Sequence, residues 1–394
     1  MSLLQEVRAE IAALNHVLYF NWGGSGPSPA RVLETAHRAF AALNDSYGPM
    51  AIPALEEAAR LLQQCRAELA RLLSCSINEV ALMESTSDGI NRIAWGLPWR
   101  AGDEVIISDV EHISGIAPWL HLAKRFGIRV VRASIAADYG DPTPILSRVT
   151  DRTRLVFVSH VSYKTGAVLP LEDIAKEAER RGFLVGVDGA QAIGQFAVAP
   201  RELGVHFYAL PGQKWLLGPD GTGALFVRED VLDTLMPSTV GWASLRSERT
   251  DDDRCDFHSN ARRYEVAGRF VPAFAALAEA IGLIRQIGLD VIQQRIRELA
   301  ARMVDGLRAL PQIRLVSEMS EPPATGLIAM EIYGIDPSDV VKRLWEEHRV
   351  VCRWIDEPRL LRFSVHAFND EREIDQVVEA VRAVLASYVE TKGQ

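Results

Sequence analysis

Between residues 79 and 227, short apolar runs alternate with longer segments whose apolar positions recur at helical spacing. The short runs favour β-strands, and the helical spacing is found in "GINRIAWGL", "GIAPWLHLAKRFG" and "LEDIAKEAERRG". The predicted strands are "EVALME", "DEVIISD", "IRVVRAS", "RLVFVSH", "FLVGVD", "FYALPG" and "GALFVR". This alternation predicts an α/β fold, in which a mostly parallel sheet is flanked by crossover helices.

The two ends of the chain carry other patterns. An opening amphipathic helix is predicted by apolar residues at helical spacing, namely Leu4, Val7, Ile11 and Leu14. The polar stretch 247–260 predicts a loop, and long helical patterns follow over about 271–310. Beyond them come the strand candidates "IRLVS", "GLIAMEIYG", "VVCRWI" and "LLRFSVHAF", with one helix from Asp336 and another at the end. Such a mixture predicts a smaller C-terminal α+β domain.

Composition and charge narrow the class of protein. The chain has 394 residues, 48% of them hydrophobic and 24% charged, which is enough for two domains. Its net charge of -9 disfavours nucleic-acid binding, because phosphate contacts need a clustered basic face. No apolar run is long enough to span a bilayer, and the charges at Glu6, Arg8 and Glu10 disagree with a signal peptide. We therefore expect neither a nucleic-acid nor a membrane partner.

The cysteines indicate the cellular compartment. All four are scattered and form no Cys-x-x-Cys pair: Cys65, Cys75, Cys255 and Cys352. This spacing predicts no disulfide framework and no metal site, and it makes the reducing cytoplasm the expected location.

Polar residues lie at or near the ends of several predicted strands. Asp188 ends "FLVGVD", His112 follows "DEVIISD", and Lys214 follows "FYALPG" in an apolar neighbourhood. Thr86 and Ser87 begin a predicted helix after "EVALME". Taken singly, each has an ordinary structural explanation, such as a helix cap or a polar side chain bonded to the backbone. Taken together they could converge, because an open parallel sheet binds its ligand at the carboxyl ends of its strands.

The combined set fits pyridoxal phosphate. This cofactor needs a lysine for a Schiff base and a carboxylate against its pyridine nitrogen, which keeps the ring an electron sink. Lys214 and Asp188 are of these types, and apolar neighbours would lower the pKa of the lysine. His112 could cover the ring, and the helix start at Thr86 and Ser87 offers an anion site for the phosphate.

From "YFNWGGSGPSP" to "RFSVHAFNDEREID" the sequence resembles the class V aminotransferase group of fold-type I pyridoxal phosphate enzymes, which includes the cysteine desulfurases. The motifs that carry the resemblance are "VDGAQAIG", "EH" after "DEVIISD", and "GQKWLLGPDGTGALF". It implies an N-terminal helix (1–18) packing on the small domain, a large cofactor-binding domain (19–260), and an interdomain helix with a small C-terminal domain (261–394). It also implies a homodimer whose active site lies at the subunit interface, with the segment 240–268 near the partner's cofactor.

The resemblance assigns roles to individual residues. The family's Schiff-base lysine matches Lys214, its pyridinium partner matches Asp188, and its ring-stacking imidazole matches His112. The residue that bonds the cofactor's phenolic oxygen matches Gln191. These residues are therefore expected to bind the cofactor, and the first three to be catalytic.

The phosphate contacts depart from the family pattern. Thr86 and Ser87 match two of the family's phosphate ligands. Three others are replaced, since Pro211, Gln213 and Gly268 stand where the family has a hydroxyl residue, a histidine and a threonine from the partner. We expect the phosphate to be held by Gln213 with backbone amides, or by a nearby arginine such as Arg262 or Arg269.

Two arginines nine positions apart match the family's binding site for the substrate carboxylate. Alternation along "LLRFSVHAF" places Arg362 on the face opposite its large apolar neighbours, and Arg353 is the expected second contact. Asn21 and Gly24 of "FNWGG" are also expected to bind substrate. Tyr163, where desulfurases commonly have asparagine, is expected to shape the leaving-group pocket.

The closest resemblance is to the cysteine/cystine C–S lyase branch, through "FNWGG", "WGLPWRAGDE", "KWLLGP", "VGW" and "YEVA". It implies β-elimination from cystine, cysteine or a related sulfur amino acid, giving pyruvate, ammonia and a sulfur product. Desulfurases carry a nucleophilic cysteine in the loop after the position of Arg353. Here that loop is "WIDEP", which has no cysteine, so a cysteine desulfurase is the less favoured alternative. The alternatives are an epimerase related to isopenicillin N epimerase, an aminotransferase or a biosynthetic tailoring enzyme, and, from another class, a non-catalytic binding protein.

Overall fold

The computed structural model describes residues 2–45, 48–135, 138–247, 255–317 and 323–392. The α-helices in these ranges are α1 (Leu3–Ala9), α2 (Ala30–Asn44), α3 (Ile52–Leu72), α4 (Thr86–Gly96), α5 (Ala117–Phe126), α6 (Thr143–Leu146), α7 (Leu171–Arg181), α8 (Val271–Ile287), α9 (Leu289–Arg308), α10 (Pro337–His348) and α11 (Glu371–Lys392). Short 3-10 helices cover Ala12–Asn15, Ile77–Glu79, Ile113–Gly115, Glu229–Val231, Trp242–Ser244 and Ala261–Tyr264. Half of the predicted loop 247–260, the residues 248–254, lies outside the described residues.

The strands fall into three sheets. They are β1 (Leu18–Tyr19), β2 (Val80–Met83), β3 (Glu104–Ser108), β4 (Arg129–Ala133), β5 (Thr153–Ser159), β6 (Leu184–Asp188), β7 (Phe207–Pro211), β8 (Gly223–Val227), β9 (Ile313–Leu315), β10 (Leu327–Ile332), β11 (Val350–Val351), β12 (Arg353–Ile355) and β13 (Leu360–Ser364). Seven of them form the large sheet in the order β2-β8-β7-β6-β5-β3-β4. In that sheet β8 runs in the direction opposite to the other six strands, which are parallel to one another, so the predicted mostly parallel α/β fold is confirmed.

Both faces of the large sheet are buried, because side chains alternate along each strand and helices cover both sides. In β5, Leu155 and Phe157 pack into one apolar cluster, which also contains side chains of α4 and α5. The alternate residues of the same strand, Val156 and Val158, pack into a different apolar cluster on the opposite face, which contains side chains of α3, α7 and α8. This two-sided burial holds the strand ends in a fixed array.

A second sheet of four strands, called the small sheet below, is antiparallel and has the order β12-β13-β10-β9. The third sheet contains only β1 and β11. The apolar core of the small sheet includes side chains of α9, α10 and α11. Leu361, Phe363 and Val365 all lie in this core, which confirms the alternation predicted for "LLRFSVHAF". None of the helices in the described ranges is long and apolar enough to cross a membrane. The domain boundaries at residues 18 and 260 stay a prediction.

The opening helix is shorter than predicted. It ends at Ala9, and a 3-10 helix covers Leu14, so the expectation of one helix through Leu14 was wrong. Glu10 explains the break, because an uninterrupted helix would use its carbonyl oxygen for the N–H of Leu14. That oxygen instead accepts the N–H of Ala30 at 3.0 Å, and the Glu10 carboxylate binds Arg31. A tertiary contact with the start of α2 therefore ends the helix.

The segment "VVCRWI" forms two short strands where the sequence predicted one. β11 pairs in parallel with β1, whereas β12 pairs with β13 in the small sheet. Cys352 lies between the two strands and is buried in the small-sheet core. Periodicity reports which side chains are buried but not which strand a segment pairs with, so the switch between sheets was not visible in the sequence.

Candidate active site

A cavity of about 270 Å³ opens where β5, β6 and β7 end. The last residues of these strands, Ser159, Asp188 and Pro211, all line it. Most of the predicted site residues also line the cavity, namely Gly24, Thr86, Ser87, His112, Tyr163, Asp188, Gln191, Gln213, Lys214 and Arg353. Arg362 and Asn21 do not line the cavity, and the Arg362 guanidinium donates to Oδ1 of Asn21 at 3.4 Å. A separate cavity of about 530 Å³ near His160 contains none of the predicted residues.

Lys214 and Asp188 face this cavity together. Burial lowers the pKa of Lys214 to about 8, the charge of Asp188 opposes this, and the charges of Arg362 and Arg353 add to it. Burial raises the pKa of Asp188, while Lys214 and the N–H of Ala190, 2.9 Å from Oδ1, act to lower it. An amine of this pKa is partly unprotonated near neutral pH, as a nucleophile or a base requires.

The position of Lys214 is fixed by the chain around it. β7 is buried throughout and ends at Pro211, and Trp215 after the lysine is fully buried. The N–H of Gly26 donates to the carbonyl oxygen of Gln213 at 2.7 Å. A Cβ at residue 26 would lie 2.6 Å from the carbonyl oxygen of Lys214, so only glycine allows this approach. The glycine-rich "FNWGGSG" segment thus packs directly on the lysine backbone.

His112 is half-buried beside Tyr163. The N–H of Ser114 donates to Nδ1 of His112 at 3.2 Å, which leaves the proton of a neutral ring on Nε2. The ring edge meets the Tyr163 ring with 5.0 Å between centroids and an interplanar angle of 83°. Burial lowers the pKa of His112 to about 4, and the positive charges of Lys214 and Arg353 act in the same direction. The imidazole is therefore neutral at physiological pH.

Gln191 is oriented by two hydrogen bonds. Its Oε1 accepts from the indole Nε1 of Trp215 at 3.0 Å, and its Nε2 donates to the carbonyl oxygen of Gly23 at 2.8 Å. A carboxamide nitrogen carries two N–H groups, so one remains to bond a ligand in the cavity. This arrangement fits the expected bond to a phenolic oxygen.

The start of α4 forms another wall of the cavity. Thr86 and Ser87 occupy its first two positions, and Ser85 caps it by accepting from the N–H of Asp88 at 3.1 Å. Free N–H groups at a helix N-terminus favour an anion. Gln213 lines the same cavity, and its buried Oε1 finds no hydrogen-bond partner among the described residues. Neither of the two candidate arginines at 262 and 269 lines the cavity in this chain.

Arg353 and Arg362 lie directly opposite each other on β12 and β13. Arg362 is fully buried, and it donates to the carbonyl oxygen of Tyr163 at 2.8 Å and to Oδ1 of Asn21 at 3.4 Å. Its Nε has no partner, and neither arginine pairs with a carboxylate in the described part of the chain. Like charges directly opposite on neighbouring strands repel each other. The pair therefore fits an anionic ligand.

Some lining residues were not among the predicted ones. Ser159, Ser114 and Gly23 line the cavity, and Trp215 holds Gln191 in place. Ser159 could have been found, because it ends its strand just as Asp188 ends the next strand of the sheet. The other contacts depend on how loops meet, and no periodic pattern in the sequence points to them.

Comparison with known proteins decides the family. The profile of the aminotransferase class-V family matches residues 18–377. This chain belongs to the class V aminotransferase family. It is 30% identical to a probable cysteine desulfurase of Methanothermobacter thermautotrophicus and 31% identical to isopenicillin N epimerase of Streptomyces clavuligerus, in each case over 96% of this chain and 98% of the relative. Among solved structures, the cystine C–S lyase C-DES in complex with cysteine persulfide is 30% identical, with a TM-score of 0.89 over 94% of this chain and 98% of that one.

As a member of the class V aminotransferase family, the protein is a pyridoxal-phosphate-dependent enzyme with the fold-type I architecture. The residues at the cavity fit this cofactor. Lys214 and Asp188 share the cavity, the start of α4 offers an anion site, and buried polar atoms of Gln213 and Arg362 have no partner in the described chain. Such orphaned atoms are expected where a polar ligand completes a site.

Proposed function

We propose that this enzyme is a C–S lyase, which removes the β-sulfur substituent of cystine, cysteine or a related sulfur amino acid and releases pyruvate, ammonia and a sulfur product. The observation that carries the proposal is one cavity lined by complementary groups. Lys214, with a pKa lowered to about 8, lines it together with Asp188, and so does Arg353, which lies opposite the buried Arg362 on the neighbouring strand.

Each of these side chains has a task in that reaction. Pyridoxal phosphate, when bound, supplies a ring that accepts the electron pair left by a broken bond at Cα. The Lys214 amine would hold the cofactor and, once the substrate amine has taken its place, would be free to accept the Cα proton, for which its low pKa suits it. Asp188 would stabilise positive charge on the ring nitrogen, and the neutral His112 would cover the ring face. Arg362 and Arg353 bind the α-carboxylate, because guanidinium groups bond carboxylates with paired N–H donors.

Two features support elimination over desulfuration. The segment after Arg353 is "WIDEP", which contains no cysteine to receive a sulfur atom. Cys352 is buried in the small-sheet core, where burial raises the pKa of its thiol far above the usual range. A thiol in that state is a poor nucleophile. The similarity to C-DES over nearly the whole chain agrees with this choice.

Epimerisation is the second candidate, because isopenicillin N epimerase of Streptomyces clavuligerus is as similar to this chain as the desulfurase relatives. An epimerase would use the same lysine and the same ring but would return a proton to Cα. The two reactions, and transamination as a third, differ in their products.

Product analysis tests the proposal. Purified enzyme loaded with pyridoxal phosphate is incubated with L-cystine, L-cysteine and S-alkyl cysteines, and pyruvate, ammonia and persulfide or sulfide are measured. We expect equal amounts of pyruvate and ammonia, and no product from the Lys214→Ala variant. A D-amino acid without pyruvate would support the epimerase, and a keto acid formed without free ammonia would support the aminotransferase. Either result would overturn the lyase.

We also propose a cytoplasmic homodimer. Large apolar side chains are exposed on the isolated chain, with Met50 80%, Ile52 72%, Trp242 61% and Phe270 61% exposed. Exposed apolar side chains of this size are typical of surfaces that a partner covers. Light scattering of the loaded enzyme should give twice the mass of one chain, and a monomer at micromolar concentration would contradict the proposal.

A further inference from the structure

A buried carboxyl group lies next to His112 and has no role in the reaction described above. Glu111 is only 1% exposed, and it forms no ion pair with any residue of the described ranges. Burial raises its pKa to about 7, hydrogen bonds from Ser108 and Ser159 oppose this, and the charge of Asp188 adds to it. A buried carboxyl group without a cation is costly to a fold unless hydrogen bonds satisfy it.

Three donors converge on this carboxyl group. Oε1 accepts from the hydroxyl of Ser108 and from the backbone N–H of Ser159, the latter at 3.0 Å. Oε2 accepts from the hydroxyl of Ser159 at 2.6 Å. Ser108 ends β3, and Ser159 ends β5, the neighbouring strand. The side chain of Glu111 therefore ties the loop after β3 to the end of β5.

The contact between Glu111 and Ser159 lies between His112 and Asp188, which both line the cavity. Ser159 is the register partner of Asp188 in the parallel sheet and lines the cavity itself. On the other side, His112 follows Glu111 directly and is bonded by the N–H of Ser114. The loop that carries His112 is thus held by a hydrogen-bonded contact on each side of the imidazole. Of the two contacts, the one made by Glu111 connects the loop to β5, the strand next to the one that ends at Asp188.

We propose that Glu111 is a positioning residue, which sets the place of the His112 imidazole relative to Asp188 by clamping the loop after β3 to Ser159. The inference rests on the proposed function only in that His112 covers the cofactor ring. It adds a residue that acts through His112 and does not touch the cofactor or the substrate.

A double-mutant cycle tests the proposal. Glu111→Gln, His112→Ala and the double variant are loaded with pyridoxal phosphate, and two quantities are measured: the visible circular dichroism of the bound cofactor and kcat/KM for the substrate found in the product analysis. Glutamine keeps the size of the side chain, but its amide nitrogen cannot accept from Ser159 or Ser108. Misplacement of a group at the cofactor should lower kcat/KM about ten- to a hundred-fold. Because both changes act on one imidazole, the double variant should lie within about two-fold of His112→Ala alone.

Glu104→Gln is the matched control. Glu104 lies at the other end of β3, is 3% exposed, and accepts from the hydroxyl of Thr150. Unlike Glu111 it also pairs with Arg129, at 3.1 Å, and it does not line the cavity, so the variant changes a buried carboxylate of the same strand outside the site. We expect this variant to keep the wild-type dichroism. Should Glu111→Gln fail to fold, Ser108→Ala removes one of the three donors and should change the dichroism in the same direction by a smaller amount.

The outcomes separate the inference from the proposed role of His112. If His112→Ala alters the dichroism and Glu111→Gln does not, the inference is wrong and the role of His112 stands. Losses that multiply in the double variant would also overturn the inference, because Glu111 would then act independently. If His112→Ala leaves the dichroism unchanged, the proposed role of His112 fails, and the inference fails with it.

Discussion

Replacing Asp188 by asparagine should lower the pKa of Lys214 below its wild-type value of about 8. Burial lowers this pKa, and the negative charge of Asp188 opposes that effect by stabilising the ammonium form. Asparagine has the same shape without the charge. Arg353→Gln makes the opposite change, because the Arg353 charge helps to lower the pKa of Lys214. The two variants should therefore move the titration of one amine in opposite directions.

The size of the wild-type effect follows from the pKa. A fall from 10.5 to about 8 corresponds to roughly 3 kcal/mol of destabilisation of the ammonium form. At a pH of about 7.5, the unprotonated fraction of the amine rises from roughly one in a thousand to roughly one in four. An opposite charge close to a titrating group changes its pKa by about 1 to 3. The loss of Asp188 should therefore be resolved clearly.

The titration is measured on protein from which the cofactor has been removed. Limiting acetic anhydride labels unprotonated amines over a series of pH values, and mass spectrometry of digests gives the labelled fraction of the peptide with Lys214. Lys176 is the internal reference in the same digests, because its side chain is 72% exposed on the surface. The ratio of the two labelling rates against pH gives the pKa of Lys214.

Two results would refute the reasoning. If Lys214 in the wild-type protein titrates near 10.5, its burial does not destabilise the ammonium form. If Asp188→Asn raises the pKa, or Arg353→Gln lowers it, the charges of these residues do not act on the amine in the way that their shared cavity implies.

Other perturbations test the substrate site, the core and the buried carboxyl group. Arg362→Lys loses the paired N–H donors, so it should raise KM about ten- to a hundred-fold with a smaller change in kcat. An unchanged KM in steady-state kinetics would contradict the proposal that Arg362 binds the substrate carboxylate. Glu265→Gln breaks the buried ion pair in which the Arg66 guanidinium lies 2.7 Å from the Glu265 carboxylate. The free energy of unfolding, measured with denaturant, should fall by about 3 to 5 kcal/mol, because the arginine is left buried without a partner charge. A fall of less than about 1 kcal/mol would contradict this reasoning. Burial raises the pKa of Glu111 from 4.5 to about 7, so between these pH values the folded chain holds a proton that the unfolded chain has lost. The stabilisation from that proton is lost as pH rises. The difference in Tm between the wild-type protein and Glu111→Gln should therefore shrink between a pH of about 5 and about 7.5. A constant difference in Tm would show that Glu111 does not titrate in this range.

Much of the large domain could be predicted because its signals are local. Each predicted strand of the large sheet forms, and all except the edge strand β4 are buried along nearly their whole length, as an apolar run bounded by turns requires. Parallel strands place their carboxyl ends at one edge, and this rule alone brings Asp188, His112 and Lys214 to one cavity. The alternation around Arg362 likewise identified its polar face, since the neighbours of the arginine lie in the small-sheet core.

The tertiary structure decided what depends on partners far along the chain. The end of α1 at Ala9 follows from the contact between Glu10 and the start of α2, and the division of "VVCRWI" follows from the strands that happen to lie beside it. Neither partner is encoded in the local pattern.

The same distinction applies within the site. The sequence by itself determined which residue types stand at the strand ends, because periodicity and turns fix where each strand stops. Only the folded chain decided that Arg353 and Arg362 oppose each other and that Glu111 bonds Ser159. The physical reason is that hydrogen bonds and charge interactions act over a few ångströms in space, whereas the residues that make them lie tens of positions apart in the chain.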